Sequence, residues 1–343
     1  MTKAMTEKLE QNGRQGNRNW EQLNPRAAEA AEFYARHYTV VFQASLNAKR
    51  RTILEDPATD GVRRCRFCGR SRPEVSFRKE AHAVPEFLGN KSIFTRNECD
   101  ECNQKLAQTV EDHLAKSFGP IRTITHMRGK RGVPTYKAID GSARIAMKST
   151  GLEFHLNKDK PDFKEGQPAD LALSMLTEPF VPVAAAKCLV KIACCLAPPE
   201  DLPHLEQTIS WVTFENHAAC PLRIEPLPVL CSFRPGPNPY GNGRVFLLRR
   251  RTDERRVPYL VLAVATANHV LAAFAPFCGQ DDFSQGKFQL TLCYFPVLFP
   301  EETRFGRTSY YRFDWSSAEP RRDDREFTMH IENLKKITPH VPS

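Results

Sequence analysis

The sequence lacks an apolar stretch at its start: the first twenty residues, MTKAMTEKLEQNGRQGNRNW, are polar and hold no leader-like core. It has no internal repeat, which excludes a stacked-repeat architecture. It has no glycine-rich phosphate loop either; NPYGNGR contains a lone G-x-G and reads as a turn. No apolar run is both long and unbroken. Val257–Phe277 could cross a bilayer by length, but Asn268 and His269 lie near its centre, where polar groups are costly in lipid. The run reads instead as two buried strands around a TANH turn, and no membrane partner is expected. An even cysteine count is also missing. The 11 cysteines suggest no disulfide framework and place the chain in a reducing cytoplasm.

What is present fits a globular protein. The 343 residues are enough for two domains and a full core, with 41% hydrophobic and 26% charged residues. Lysine and arginine outnumber acids by 49 to 40, a surplus that attracts polyanions. Residues 1–60 read as a disordered start and a helical lead-in from Asn24 to about Glu55, before the turn-rich DPATDG. Residues 61–140 form a compact segment around two cysteine pairs. Residues 141–343 read as a larger α+β domain with a mostly antiparallel sheet and one main helix, PVAAAKCLVKIACCLA.

The densest chemistry lies between Cys65 and Leu106. Cys65, Cys68, Cys99 and Cys102 form two C-x-x-C hooks, a spacing that presents four thiolates tetrahedrally to one Zn2+. Such a site is coordinatively closed, so this zinc holds structure and does not catalyse. VSFRKEAHAV (75–84) reads as a strand with Glu80 and His82 on one face. KSIFTR can return as a second strand. Leu106, Val110, Leu114 and Phe118 then mark the apolar stripe of a helix that stops at Gly119-Pro120. The order is strand, loop, strand, helix, tied together by the two hooks.

Cys65–Phe118 resembles the HNH, or ββα-metal, endonucleases, and in particular a bacterial subgroup with a motif like EAHxxPExLGN…NECDECN. The resemblance implies that His82 is the general base and that Asn103, directly after the second hook, binds a catalytic Mg2+ or Mn2+. Asn97 matches the middle asparagine that pins the loop carrying the base, while Asn90 reads as a turn residue. Many relatives place a metal ligand directly before the base. Here that position is Ala81, so Glu80 is expected to take over the ligand role.

Basic residues flank this segment. Arg78 and Lys79 lie before His82, and Arg128, Lys130 and Arg131 lie in an acid-free run after the helix, as suits contact with nucleic acid, expected to be double-stranded DNA. The expected fold is therefore a zinc-clipped ββα-metal nuclease module followed by a larger α+β domain. The expected function is phosphodiester hydrolysis, in phage defence or restriction. The competing reading is a non-catalytic zinc-binding module that docks nucleic acid or protein. Sequence reading, oligomerisation and signal sensing are all open to the second domain.

Overall fold

A computed structural model describes residues 25–57, 60–129, 132–139, 141, 143–149, 151–156, 166–281, 291–296 and 302–331. It is an α+β protein with mostly antiparallel sheets. The helix expected from Asn24 to Glu55 is shorter: α1 spans Pro25–His37 and the chain passes straight into strand β1, Tyr38–Ser45. β-branched and aromatic residues in YTVVF favour the strand, and a partner 200 residues away captures it. β1 pairs antiparallel with Arg244–Arg250, from Tyr38↔Arg250 to Ser45↔Arg244. It forms one edge of a six-stranded sheet that continues through Leu260–Thr266, His269–Phe274, Pro228–Phe233 and Ser309–Asp314. The apolar run from Val257 divides into two of these strands at a turn containing Ala267 and Asn268, as expected. Among the described residues no helix is long and apolar enough to cross a membrane.

The cysteine segment lies between β1 and the rest of this sheet in sequence. β2 (Thr52–Leu54), β3 (Ala81–His82) and β4 (Ile93–Thr95) form a small sheet with β4 in the middle. α2 (Asp100–Leu106) continues through a π turn (Ala107–Glu111) into α3 (Asp112–Phe118). The strand expected over 75–84 shrinks to the two residues of β3. The cause is Asp100. Its carboxylate accepts hydrogen bonds from the backbone N–H groups of Arg78 (3.0 Å) and Lys79 (2.9 Å), which a strand partner would otherwise receive.

α4 (Pro182–Leu196) lies between the two parts. One side packs on α3 and the π turn, and the other on the central strands Leu260–Thr266 and His269–Phe274. Apolar surface on both sides explains why every residue of this helix is buried, two lysines included.

Candidate active site

The cysteine hooks meet as their spacing implies. The four Sγ atoms of Cys65, Cys68, Cys99 and Cys102 all lie within 4.8 Å of one another, and Cys68 and Cys99 are 3.8 Å apart. Tetrahedral zinc with bonds of about 2.3 Å sets sulfur–sulfur separations near ~3.8 Å, so the donor set fits that ion. Backbone N–H groups of Cys99 and Cys102 point at the sulfurs of Cys65 and Cys99, both at 3.4 Å. Cys99 is also the N-cap of α2. One sulfur therefore belongs both to the four-cysteine cluster and to the start of the helix that carries Asn103.

His82 sits on β3 opposite Phe94, with ring centroids 4.7 Å apart. It is half-buried, and burial draws its imidazole below the ordinary value of 6.5. Glu86 and Glu111 pull the other way, while Lys191 and Lys91 add to the lowering. The net direction leaves a neutral ring at neutral pH, the form able to accept a proton.

Asn103 stands in the first turn of α2, half-buried, its backbone N–H bonded to the Cys99 carbonyl at 2.9 Å. Glu80 lies elsewhere than expected. β3 begins one residue after it, so no strand pleat aligns it with His82. Its carboxylate is exposed and paired with Arg51 at 2.6 Å; Arg51 in turn lies 4.0 Å over the Phe94 ring.

The asparagines exchange roles. Asn90 is fully buried and ties down the loop after His82. Its Nδ2 donates to the carbonyls of Val84 (2.6 Å) and Ile93 (2.8 Å), and its Oδ1 accepts from the N–H groups of Ser92 (3.1 Å) and Ile93 (2.9 Å). Asn97, expected to do this, instead accepts from the Asp56 N–H at 3.0 Å and so anchors the end of the β2 segment. Turn chemistry at Gly89-Asn90 was legible; that the amide would reach both arms of the ribbon was not.

Residues 65–119 match the family model of HNH endonuclease. No curated protein and no solved structure matches the chain. The match runs from the first hook to the end of α3, so the clip, His82 and Asn103 all fall within the HNH unit.

Two charged side chains without a legible role in the sequence tie the HNH unit to α4. Lys191, fully buried, reaches from α4 to Glu98 and Glu111, each at 3.0 Å, and to the His82 carbonyl at 3.4 Å. The two carboxylates hold its ammonium charged, well above its ordinary range, against the opposing effect of burial. Burial pushes the Glu98 carboxyl up to about 7, with Lys191 opposing. In the other direction, Arg66, next to the first hook, donates to the carbonyls of Cys194 (2.7 Å) and Ala197 (2.9 Å) at the C-terminus of α4. Its guanidinium is also paired with Asp56. A cation at a helix C-terminus meets unpaired carbonyls and the negative end of the helix dipole. The available sign was two lysines, Lys187 and Lys191, one turn apart in an otherwise apolar helix.

The basic residues are partly described. Arg78, Lys79 and Arg128 are exposed. Lys130 and Arg131 lie outside the described residues.

Proposed function

We propose that this chain is a metal-dependent HNH endonuclease that hydrolyses phosphodiester bonds of double-stranded DNA. The observation that carries the proposal is a half-buried imidazole drawn below its ordinary pKa within a zinc-clipped unit matching the family. His82 takes the proton of a water aligned with the scissile phosphorus. Asn103 offers an amide oxygen without a side-chain partner among the described residues, which fits a hard divalent cation. Bound Mg2+ or Mn2+ would supply stabilisation of charge on the phosphate and the leaving oxygen. Asn90 holds the loop beyond His82, and the zinc clip fixes the start of the helix that carries Asn103. Arg78, Lys79 and Arg128 offer exposed positive charge for the phosphate backbone, a contact that gives affinity and not sequence choice. The unpaired state of all 11 cysteines supports a reducing, cytoplasmic setting, and defence against invading DNA is the role we infer there.

The second reading, a zinc-stabilised module that binds without cutting, is favoured by one observation: Glu80 is engaged with Arg51. A plasmid-nicking assay with Mg2+ or Mn2+ separates the two. The wild type is expected to nick, and His82→Ala to lose at least ~10^2-fold in rate. Asn103→Ala is expected to lose activity while keeping its zinc. Equal behaviour of all three proteins would leave only binding.

A further inference from the structure

The strand that carries His82 is held by its sheet on one side only. β3 has two residues and lies at the sheet edge, paired with β4 alone among the described residues. The Ala83 N–H donates to the Ile93 carbonyl at 3.2 Å. Bonded and non-bonded pairs alternate along an antiparallel ladder, so the N–H and C=O of His82, one residue earlier, point away from β4. The ladder therefore leaves the backbone of the base residue itself unpaired.

Lys191 of α4 fills the open side. Its Nζ donates to the His82 carbonyl at 3.4 Å. The same ammonium donates to Glu111 and pairs with Glu98, each at 3.0 Å. These partners come from three parts of the HNH unit: the strand of the base, the residue directly before the second cysteine hook, and the π turn after α2. One cation thus ties all three together. Charge balance alone does not call for the contact with the carbonyl, since two carboxylates already outweigh one ammonium.

The cation is itself firmly held. Lys191 has no exposed surface. Its helix packs on α3 and the π turn on one side and on the central strands on the other. Arg66, beside the first hook, bonds the carbonyls of Cys194 and Ala197 and so fixes α4 lengthwise. The family match ends at residue 119, so this support for the base comes from outside the matched unit.

We infer that Lys191 is a positioning residue for the His82 base, and that the chain beyond the HNH unit completes the active site through it. The inference rests on the endonuclease reading. Lys191 touches no reacting atom; it acts through the backbone of β3. Any shift of α4 is passed to the base through this contact.

The test separates placing the base from balancing charge. It uses the full, zinc-loaded chain and plasmid nicking with Mg2+, resolved into kcat and KM. Lys191→Met strands the Glu98 charge. Lys191→Met/Glu98→Gln does not, and replacing a buried ion pair by neutral side chains is often harmless to stability. The double variant is expected to regain the melting temperature that the single variant loses. Its kcat is expected to stay at least ~10-fold below the wild type, because a small misplacement of a catalytic group is costly. Its KM for DNA is expected to change less than about 2-fold, since substrate binding is untouched. Wild-type kcat in the folded double variant, or a loss confined to KM, overturns the inference and leaves the endonuclease reading intact. A wild type that does not nick overturns both. Should the double variant fail to fold, Lys191→Arg takes its place. It keeps a cation for Glu98 and a donor for the carbonyl and is expected to retain the rate; a folded Lys191→Arg as slow as His82→Ala overturns the assignment.

Discussion

At the scale of single residues, burial sets how readily each histidine takes a proton. His82 is half-buried, and burial draws its ring below the ordinary value while Glu86 and Glu111 oppose. His269 is almost fully enclosed, between the rings of Phe118 and Phe233, and burial pushes it down to about 3. The consequence for stability has a definite sign. In the unfolded chain His269 gains a proton as pH falls through about 6.5. The folded protein refuses that proton until about pH 3. Between these values the unfolded state binds more protons, so stability falls as pH falls, by up to about 1.4 kcal/mol per pH unit from this residue. Urea unfolding at pH 7, 6 and 5 is expected to show a shallower decline for His269→Gln than for the wild type. Parallel declines would show that the ring does not titrate as its burial requires.

Single residues also mark the limit of sequence reading. The clustering of the four sulfurs and the helix that follows them were legible because they lie in local spacing. Asn90, Glu111 and Lys191 were not, because their meaning lies in partners. Lys191 is 80 residues from Glu111 and 109 from His82, and no periodicity announces contacts at that distance.

Among the elements, α4 carries two buried lysines with opposite surroundings. Lys191 faces two carboxylates. Lys187 meets no carboxylate among the described residues; its ammonium donates to the Phe214 carbonyl at 3.0 Å, lies 3.2 Å from His217 Nδ1 and 5.2 Å from the Trp211 ring, and burial draws it down to about 8. Removing one partner of a buried ion pair strands the other charge, at a cost of about 3–5 kcal/mol. Lys191→Met is therefore expected to destabilise by about that much, since Glu98 is left enclosed without a cation. Lys187→Met is expected to cost far less, because it strands no charge. Urea midpoints of the two variants check this, and equal losses would contradict it. The elements themselves were unevenly legible. The helix at Pro182–Leu196 and the paired strands from Leu260 to Phe274 match their patterns. The 75–84 stretch has strand-like alternation, but the Asp100 carboxylate outcompetes a neighbouring strand for its N–H groups. β1 reads as helix continuation until its partner at Arg244–Arg250 is known.

Across the whole molecule, the two parts share one hydrophobic core, which runs from the hooks through α3 and α4 to the six-stranded sheet. Side chains reinforce the junction. Ser92 Oγ donates to the carbonyls of Ser45 (3.0 Å) and Leu46 (3.1 Å), and Thr266 Oγ1 to that of Leu88 (2.7 Å). The order of domains along the chain therefore understates their union: the sheet takes its first strand from before the HNH unit and the others from after it.

That first strand is secured by pairing and not only by the peptide chain. The exposed residues Lys49, Arg50 and Arg51, just past β1, offer trypsin a cleavage point. One cut there is expected to give two bands on a denaturing gel and a single peak on size exclusion, because α1 and β1 stay seated against Arg244–Arg250. Separation of the pieces in native buffer would mean that the covalent tether, and not the ladder, keeps that edge in place. If they stay together, the amino-terminal piece and the remainder could be made as separate polypeptides and mixed to rebuild the particle.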